Sequence, residues 1–248
     1  MNLCIDQGNS RTKVAIFADD GRLVNHFIYK AFFSNEVEKL CDLYSVENSI
    51  LSSVVNIEPA VINVLHRRTN FFVVFDHNTP VPISNCYDTP YTLGQDRLAA
   101  AVGANYLQPD ENLLIIDSGS AITYDFVSAD NSYMGGNIAP GMKMRFVSLK
   151  NQTKKLPLVE LGEKQLIPLF GKNTNDAILA GVVRGVKYEV EGYMRTLQKR
   201  VGHYTTFLTG GNASYIAANV RIPMRQERNL VLIGLNRILA YNIEKSGD

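Results

Sequence analysis

The chain has 248 residues, of which 46% are hydrophobic and 20% charged, a balance typical of a globular protein with one large domain or two ordinary ones. Its 25 basic and 24 acidic side chains leave a net charge of +1, which argues against binding nucleic acid or a membrane surface through bulk charge. No apolar run could span a bilayer, and the three cysteines form no Cys-x-x-Cys pair, so we expect a cytoplasmic protein without disulfides.

The first part of the chain predicts an α/β unit that opens with a strand, a tight turn and a second strand. Short apolar runs bounded by turn residues indicate strands, and apolar residues at helical spacing indicate helices. Residues 76–93 are rich in Asn, Pro, Asp and Thr, which is typical of a long functional loop. Strands are predicted at 2–6, 13–17, 23–29, 50–55 and 71–75, and helices at 36–46, 59–68 and 96–106.

The opening pattern restarts after residue 110. Aligning Asp6 with Asp117 also aligns Gly8 with Gly119, within the same order of strand, turn and strand. This recurrence predicts two similar domains. The domains are expected at 1–108 and 109–248, the second with strands at 113–116, 122–127 and 205–209, a glycine-rich loop at 135–142, and helices at 174–201 and 230–243.

Each repeated turn places an Asp at the end of a strand, followed by Gly and small polar side chains. Such a loop exposes backbone N–H groups that can hold a phosphate. The Asp carboxylate would repel phosphate directly, but it fits a cation, or a water on that cation, that neutralises phosphate oxygens. Lys13 adds a point charge for a terminal phosphate. Two such turns indicate a polyphosphate gripped from both sides, although a hairpin turn alone would explain a single Asp-x-Gly.

The stretch GQDR at 94–97 offers a second set of polar groups. Gly94 permits a sharp turn, after which Asp96 and Arg97 lie in the first turn of a helix. Asp96 has two interpretations: it stabilises the helix N-terminus through the dipole, or it accepts a proton from a substrate hydroxyl. Arg97 could grip a substrate carboxylate with two parallel hydrogen bonds. Together the pair would suit a kinase that acts on an acidic alcohol.

Glycines elsewhere predict close approaches to the backbone. Gly210 and Gly211 in TGGNA would leave room for a flat ligand, or would simply form a strand-to-helix turn. Gly181 and Gly185 lie four residues apart on the long helix and would let another backbone come near.

Taken in chain order, the motifs resemble those of type III pantothenate kinases, which belong to the acetate/sugar kinase, Hsp70 and actin superfamily. They are Asp-x-Gly-Asn-Ser-x-x-Lys, Gly-x-Asp-Arg, Asp-x-Gly-Ser-Ala, Gly-Gly-x-Ile-x-Pro-Gly and Thr-Gly-Gly, and they span nearly the whole chain. The resemblance implies an α/β fold of two ribonuclease-H-like, actin-like ATPase domains, with mixed five-stranded sheets flanked by helices and a cleft between them. It also implies a homodimeric enzyme that phosphorylates pantothenate with ATP to 4′-phosphopantothenate, the first step of coenzyme A synthesis.

The resemblance further assigns roles to individual residues. Asp96 would be the general base, Asp117 would bind a monovalent cation (K⁺ or NH₄⁺), and Asp6 would act on the Mg²⁺ of ATP through a water. Ser120 stands where the family has an ATP-contacting Thr, and Asn212 after Thr-Gly-Gly is a departure. ATP contacts are implied for Asp6, Gln7, Gly8, Asn9, Ser10, Arg11, Thr12, Lys13 and Ser120, and pantothenate contacts for Tyr87, Gly94, Gln95, Asp96, Arg97 and Thr174.

In the implied mechanism, Asp96 takes the proton of the primary hydroxyl of pantothenate, Arg97 holds the pantothenate carboxylate, and the γ-phosphoryl group is transferred in line. Two alternatives stay open. Another kinase of the superfamily would share the ATP site and bind a sugar or small acid near Asp96. A nucleotide-dependent regulator of actin-like fold would turn over ATP slowly, would not respond to pantothenate, and would need no positioned base.

Overall fold

A computed structural model describes residues 1–162 and 165–247 of the chain. They form two sheets with accompanying helices, so the α/β class expected from the sequence is confirmed. The strands are β1 (Asn2–Gln7), β2 (Thr12–Phe17), β3 (Leu23–Tyr29), β4 (Asn48–Ser53), β5 (Phe71–Val74), β6 (Ser84–Asn85), β7 (Leu113–Ser118), β8 (Ala121–Ser128), β9 (Ser132–Pro140), β10 (Thr205–Thr209) and β11 (Arg225–Gln226). The helices are α1 (Ser34–Tyr44), α2 (Pro59–Arg68), α3 (Gln95–Leu107), α4 (Met142–Gln152), α5 (Thr174–Val201), α6 (Ala213–Asn219) and α7 (Leu230–Ser246).

The first sheet has the strand order β3-β2-β1-β4-β5. Strand β1 runs antiparallel to β2 and parallel to β4, so it lies in the middle of the sheet, where hydrogen bonds on both sides fix its end. Its side chains are almost entirely buried, as its continuous apolar run predicts. One apolar cluster joins this sheet to α1 and α2; its buried members include Leu3, Ile5, Val14, Ile16, Val37, Leu40, Leu51, Val61 and Leu65.

The second sheet has the strand order β11-β10-β7-β8-β9-β6. If β7 to β11 are counted as the first to fifth strands of a repeat, their order is the same as that of the first sheet. The duplication predicted from the two Asp turns is therefore present in the topology. Strand β6, from the segment predicted as a long loop, adds a sixth strand to the five that were expected.

The prediction of a glycine-rich loop at 135–142 is wrong for most of that stretch. Residues up to Pro140 belong to β9, and only Gly141 separates this strand from α4. The outer part of β9 is largely exposed, and its two adjacent glycines carry no side chain to pack. The alternating apolar pattern that identifies a strand is therefore missing from the sequence there.

Contacts divide the chain into two compact units that do not follow chain order. Unit 1 contains Met1–Glu111, Val127–Gly135 and the chain from Asn229 onward, and unit 2 contains Asn112–Phe126 and Gly136–Arg228. Helix α7 belongs to unit 1 because it packs against α3 and β1, where Asn2 Nδ2 donates to Asn236 Oδ1 at 3.0 Å. The domain boundary at 108/109, drawn from the repeat, stays a prediction.

The close approach of two backbones occurs at a different glycine pair from the one expected. A Cβ added at Gly103 of α3 would lie 2.3 Å from the Leu230 carbonyl oxygen, and one added at Gly234 of α7 would lie 1.8 Å from the Ala99 carbonyl oxygen. Within the described chain, a Cβ at Gly181 would meet nothing within 4 Å. Glycine thus sets the distance between α3 and α7.

Unit 2 has its own apolar core beneath the second sheet. Side chains of α4, α5 and α6 pack there against β7, β8 and β10; the core includes Leu114, Ile116, Tyr124, Phe146, Leu179, Val186, Leu208 and Ile216. Cys4, Cys41 and Cys86 are free thiols in the structure. In the described ranges, no helix combines the length and apolar character needed to cross a membrane.

Candidate functional site

The first candidate turn joins β1 to β2 in unit 1. Asp6 is the penultimate residue of β1, is 8% exposed, and lies opposite Lys13 across the antiparallel pair. The Gly8 N–H donates to the Arg11 carbonyl at 3.1 Å and closes the turn. Of the predicted ATP contacts, Asn9, Ser10 and Arg11 are exposed, Gln7, Gly8 and Lys13 are half-buried, and Asp6 and Thr12 are buried.

The end of β1 is also held on its other side. Ser53 Oγ at the end of β4 donates to Gln7 Oε1 at 3.2 Å, and the Val54 N–H donates to the Gln7 carbonyl at 3.1 Å. The exposed part of the turn therefore begins at a fixed strand end, which is what a backbone cradle for an anion requires.

The second candidate turn joins β7 to β8 in unit 2. Asp117 is again the penultimate residue of a six-residue buried strand, and it lies opposite Thr209 of β10. The Gly119 N–H donates to the Ala121 carbonyl at 2.9 Å. Only residues 119–120 separate these strands, against 8–11 in the first turn, so the repeat holds for the strand ends and not for the loop length.

The TGGN stretch supports this second turn. Gly210 has a φ of +91°, and a Cβ added there would lie 2.4 Å from Asp117 Oδ1. Asn212 donates to the Ser118 carbonyl twice, through its backbone N–H at 3.0 Å and through Nδ2 at 3.2 Å. The departure noted at Asn212 thus has a structural role: it ties the loop after β10 to the strand end that carries Asp117.

Gly141 packs against the same turn from another direction. Its N–H donates to the Ser120 carbonyl at 3.1 Å, and a Cβ added at Gly141 would lie 2.3 Å from that oxygen and 2.7 Å from the Gly119 carbonyl oxygen. The Pro-Gly of the motif is thus the backbone that supports the turn carrying Ser120, which itself is exposed.

A polar network that no sequence motif announced lies behind Gly141. Arg145 donates through Nε to the Pro140 carbonyl at 2.7 Å and through Nη2 to Glu189 Oε2 at 2.7 Å. The Tyr124 hydroxyl donates to Glu189 Oε1 at 2.8 Å. Burial and, after it, the hydrogen bond to Glu189 raise the pKa of Tyr124 far above its usual value, so its hydroxyl stays protonated and donates.

The predicted substrate residues at 94–97 form the start of α3. Gly94 is the N-cap, and its carbonyl accepts from the N–H groups of Arg97 (3.1 Å) and Leu98 (3.2 Å). Asp96 is half-buried, and its Oδ1 accepts the Arg97 N–H at 2.9 Å. A Cβ at Gly94 would lie 2.6 Å from that Oδ1, so glycine leaves the space in which the Asp96 carboxylate lies.

The structure brings Tyr87 and Arg97, two of the predicted substrate residues, together in unit 1. The Arg97 guanidinium carbon lies 5.8 Å from the centroid of the Tyr87 ring, within cation–π range, and Arg97 is only 6% exposed. Pairing of β6 with β9 places Asn85 opposite Tyr133 and brings the Tyr87 and Tyr133 rings to 6.2 Å.

Thr174, the remaining predicted substrate residue, is the first residue of α5 in unit 2 and is exposed. Asn173 caps this helix, because its Oδ1 accepts the Asp176 N–H at 2.9 Å and its Nδ2 donates to Asp176 Oδ2 at 2.7 Å. The capping fixes the direction in which α5 begins and therefore the place of Thr174.

Carboxylates in the two turns suit cations that bind together with a phosphate. In the part of the chain that the structure describes, no three His, Cys, Asp or Glu side chains are grouped as a metal cage. Mg²⁺ commonly needs only one or two carboxylates when nucleotide phosphates and water complete its coordination. A single Asp at each strand end fits that requirement.

Comparison with known proteins places these features in a family. A sequence model described as type III pantothenate kinase matches residues 2–196. The type III pantothenate kinase of Phocaeicola vulgatus is 45% identical over 98% of this chain and 99% of its own. That of Bacteroides fragilis is 39% identical over 98% of both chains.

Solved structures share the fold at low sequence identity. The activator of the 2-hydroxyisocaproyl-CoA dehydratase from Clostridium difficile with bound ADPNP has a TM-score of 0.55 at 11% identity, covering 99% of this chain and 96% of that one. Component A of the (R)-2-hydroxyglutaryl-CoA dehydratase from Acidaminococcus fermentans has a TM-score of 0.54 at 14% identity, covering 100% and 99%. At such identities the likeness concerns the fold alone.

Proposed function

This chain belongs to the type III pantothenate kinase family, and from that membership we propose which of its residues bind ATP and pantothenate and move the proton. The reaction is ATP-dependent phosphorylation of pantothenate in coenzyme A biosynthesis. The observation that carries the assignment of residues is the start of α3, where the Asp96 carboxylate accepts the Arg97 N–H and the Arg97 guanidinium lies within cation–π range of the Tyr87 ring.

Asp96 is the general base of the transfer. It lies in the first turn of α3, and the bond from the Arg97 N–H to Oδ1 orients its carboxylate. It accepts the proton of the primary hydroxyl of pantothenate as that oxygen attacks the γ-phosphorus, and the bond from the γ-phosphorus to the β–γ bridging oxygen breaks to release ADP. Phosphoryl transfer depends mostly on positioning and charge neutralisation, so an oriented carboxylate is the main requirement on the acceptor side.

Arg97 and Tyr87 bind the acidic end of pantothenate. A guanidinium can hold a carboxylate with two parallel hydrogen bonds, and the cation–π contact with Tyr87 limits its rotation. The preference for an acid over a sugar follows from this pair. Gly94, Gln95 and Thr174 complete the proposed pantothenate contacts.

Backbone N–H groups of the two turns bind ATP phosphates, each within its own unit. In unit 1 the turn after Asp6 does so with Lys13 as a point charge, and in unit 2 the turn that carries Ser120 does so. Asp6 would hold the Mg²⁺ that accompanies ATP through a water, and that ion would supply positive charge to the phosphate oxygens. The remaining proposed contacts in unit 1 are Gln7, Gly8, Asn9, Ser10, Arg11 and Thr12.

Asp117 binds a monovalent cation, K⁺ or NH₄⁺. The carboxylate lies against the bare Gly210, as does the Ser118 carbonyl oxygen, and its single negative charge suits an ion of low charge. When bound, such an ion adds positive charge next to the phosphates.

The enzyme works as a cytoplasmic homodimer that uses the region of α5. Within the described chain, Cβ atoms added at Gly181 and Gly192 would meet nothing within 4 Å, and Tyr188 is 52% exposed on the same helix. Such a helix surface can accept a second copy closely. Free thiols at all three cysteines suit a reducing compartment.

The base assignment predicts a specific kinetic change in Asp96→Asn. The amide keeps the size and can still accept the Arg97 N–H, but it cannot take a proton, so kcat should fall by about 10²-fold or more while KM for ATP stays within about twofold. The measurement is ADP release at varied pantothenate and ATP.

Asp20→Asn, a change at an exposed hairpin turn, is the control and should behave as the wild type. Near-normal kcat in Asp96→Asn would remove Asp96 from the role of base. ATP turnover by the wild type that ignores pantothenate would favour the regulator, and turnover stimulated only by a sugar or another acid would favour a different kinase.

The cation assignment predicts that ATP binding depends on potassium. Replacing K⁺ by Na⁺ at constant ionic strength should raise KM for ATP by roughly tenfold, which corresponds to about 1.4 kcal/mol. Asp117→Asn should have the higher KM in both salts. An Asp117→Asn enzyme that still distinguishes K⁺ from Na⁺ as the wild type does would place the ion elsewhere.

A further inference from the structure

We propose that Arg145 is a positioning residue for nucleotide binding, because it fixes the backbone that supports the turn carrying Ser120. The inference rests on the proposed function, in which that turn contacts ATP. Arg145 lies one helical turn into α4, where its own N–H donates to the Gly141 carbonyl at 3.0 Å. The hydrogen-bond partners described here for Arg145 are Pro140, Gly141 and Glu189, and no ATP contact is proposed for these three residues.

Gly141 is in direct contact with the turn that carries Ser120. The Gly141 N–H donates to the Ser120 carbonyl, and the absence of a side chain lets the two backbones touch. Any movement of the Pro140–Gly141 peptide therefore moves the peptides of the turn, and with them the backbone N–H groups available to a phosphate.

Arg145 holds the Pro140–Gly141 peptide in place. Its Nε donates to the Pro140 carbonyl, and its Nη2 donates to Glu189 Oε2 on α5, both at 2.7 Å. The two side chains of the ion pair are only 21% and 26% exposed, so water screens it less than a surface pair. A planar guanidinium with two donors engaged has little freedom to rotate.

The same network also reaches the turn through strand β8. Tyr124 belongs to β8, which begins directly after the turn, and its hydroxyl donates to Glu189 Oε1. The Tyr124 ring stacks on Tyr193 at 4.1 Å and is 2% exposed, which fixes its position. Glu189 is thus held through both oxygens, and the turn is tied to one network through Gly141 on one side and through β8 on the other.

The consequence is preorganisation of the ATP contact. A turn that is ordered before ATP arrives loses less conformational entropy on binding, so its affinity for the nucleotide is higher. A clamp that merely joined α4 to α5 would contribute to thermal stability without affecting nucleotide affinity.

The experiment compares Arg145→Ala with Arg184→Ala. Arg184 makes the same kind of clamp elsewhere in unit 2, donating to the Pro168 carbonyl at 2.5 Å and to the Ile167 carbonyl at 2.7 Å. The readouts are the melting temperature, the Kd of a non-hydrolysable ATP analogue without pantothenate, and the separate values of kcat and of KM for each substrate. Arg145→Lys and Glu189→Gln are the conservative variants.

We expect Arg145→Ala to raise the Kd of the analogue and KM for ATP by about tenfold, with KM for pantothenate unchanged. Arg145→Lys keeps the charge but lacks the planar guanidinium that donates to two partners at once. Its Kd for the analogue should therefore lie between those of the wild type and Arg145→Ala. Arg184→Ala should lower the melting temperature and leave ATP affinity unchanged. If Arg145→Ala does not fold, a raised Kd in Glu189→Gln gives the same support, and an unchanged Kd contradicts the inference.

Gly141→Ala separates this inference from the proposed function, because its added Cβ would lie 2.3 Å from the Ser120 carbonyl oxygen and must displace the backbone of the turn. If Gly141→Ala weakens ATP binding while Arg145→Ala and Glu189→Gln lower only the melting temperature, Arg145 is a structural clamp and the inference is wrong, although the proposed site stands. If a folded Gly141→Ala also leaves ATP affinity unchanged, the ATP contact of this turn is wrongly assigned, and the role of Arg145 falls with it.

Discussion

Gly210 and Gly211 are neighbours in the chain, yet the structure gives them different surroundings. Gly210 has a positive φ, and an added Cβ would lie 2.4 Å from Asp117 Oδ1 and 2.6 Å from the Ser118 carbonyl oxygen. At Gly211 an added Cβ would meet no heavy atom of the described chain within 4 Å. The space expected for a flat ligand is therefore occupied at Gly210 by the turn that carries Asp117.

This difference predicts opposite outcomes for two alanine substitutions. Gly210→Ala must displace the Asp117 carboxylate and hold alanine at a positive φ, so it should lower the free energy of unfolding by about 2 kcal/mol or more and weaken ATP binding. Gly211→Ala should change stability by less than about 0.5 kcal/mol. Urea unfolding and KM for ATP measure both effects, and equal behaviour of the two variants would mean that Gly210 does not support the Asp117 turn.

Among the helices, the pair α3 and α7 bears most directly on the site, because α3 carries Asp96 at its start. Gly103 and Gly234 let the two helices touch through their backbones. Helix α3 runs without interruption from Gln95 to Leu107 and is packed tightly. A displacement at its middle therefore also moves its first turn, which carries Asp96.

Gly234→Ala tests this coupling. The added methyl would meet the Ala99 carbonyl carbon and oxygen at 2.7 and 1.8 Å, so the helices must separate. The melting temperature should fall by roughly 5 °C or more, and kcat should fall with KM for ATP little changed, because Asp96 moves and the β1–β2 turn does not. Gly247→Ala at the end of the same helix, where a Cβ makes ordinary contacts beyond 3.7 Å, is the control. Unchanged kcat in a destabilised Gly234→Ala would show that the position of Asp96 does not depend on this packing.

Helices and strands whose apolar residues recur at a regular spacing are predictable from the sequence, and those that lack such a spacing are not. The bounds of β3, α2 and α5 agree with the prediction to the residue, because turn residues precede β3, Pro59 starts α2 and Asn173 caps α5. Strand β9 was missed because its exposed face and adjacent glycines leave no alternation, and β6 and β11 are two-residue strands that no pattern marks.

For the whole molecule, a duplicated topology was predictable because the signature of each repeat is local: a buried strand, an Asp and a glycine turn. The network of Arg145, Glu189 and Tyr124 was not predictable, because its members are distant in the chain and no motif links them. Asn212 could be recognised as unusual from the sequence, but its role depends on a carbonyl 94 positions away. Contacts of high sequence separation are the part that a single sequence does not reveal.

Unit 1 is assembled from segments that the ribosome delivers at different times. Helix α7, which covers α3 and hydrogen-bonds to Asn2 near the start of β1, is synthesised only after all of unit 2. During translation the apolar faces of α3 and β1 that α7 will cover therefore stay exposed to solvent until the chain of unit 2 has been synthesised. Unit 2 can complete its own core first, so the unit that begins the chain is the later of the two to reach its final state.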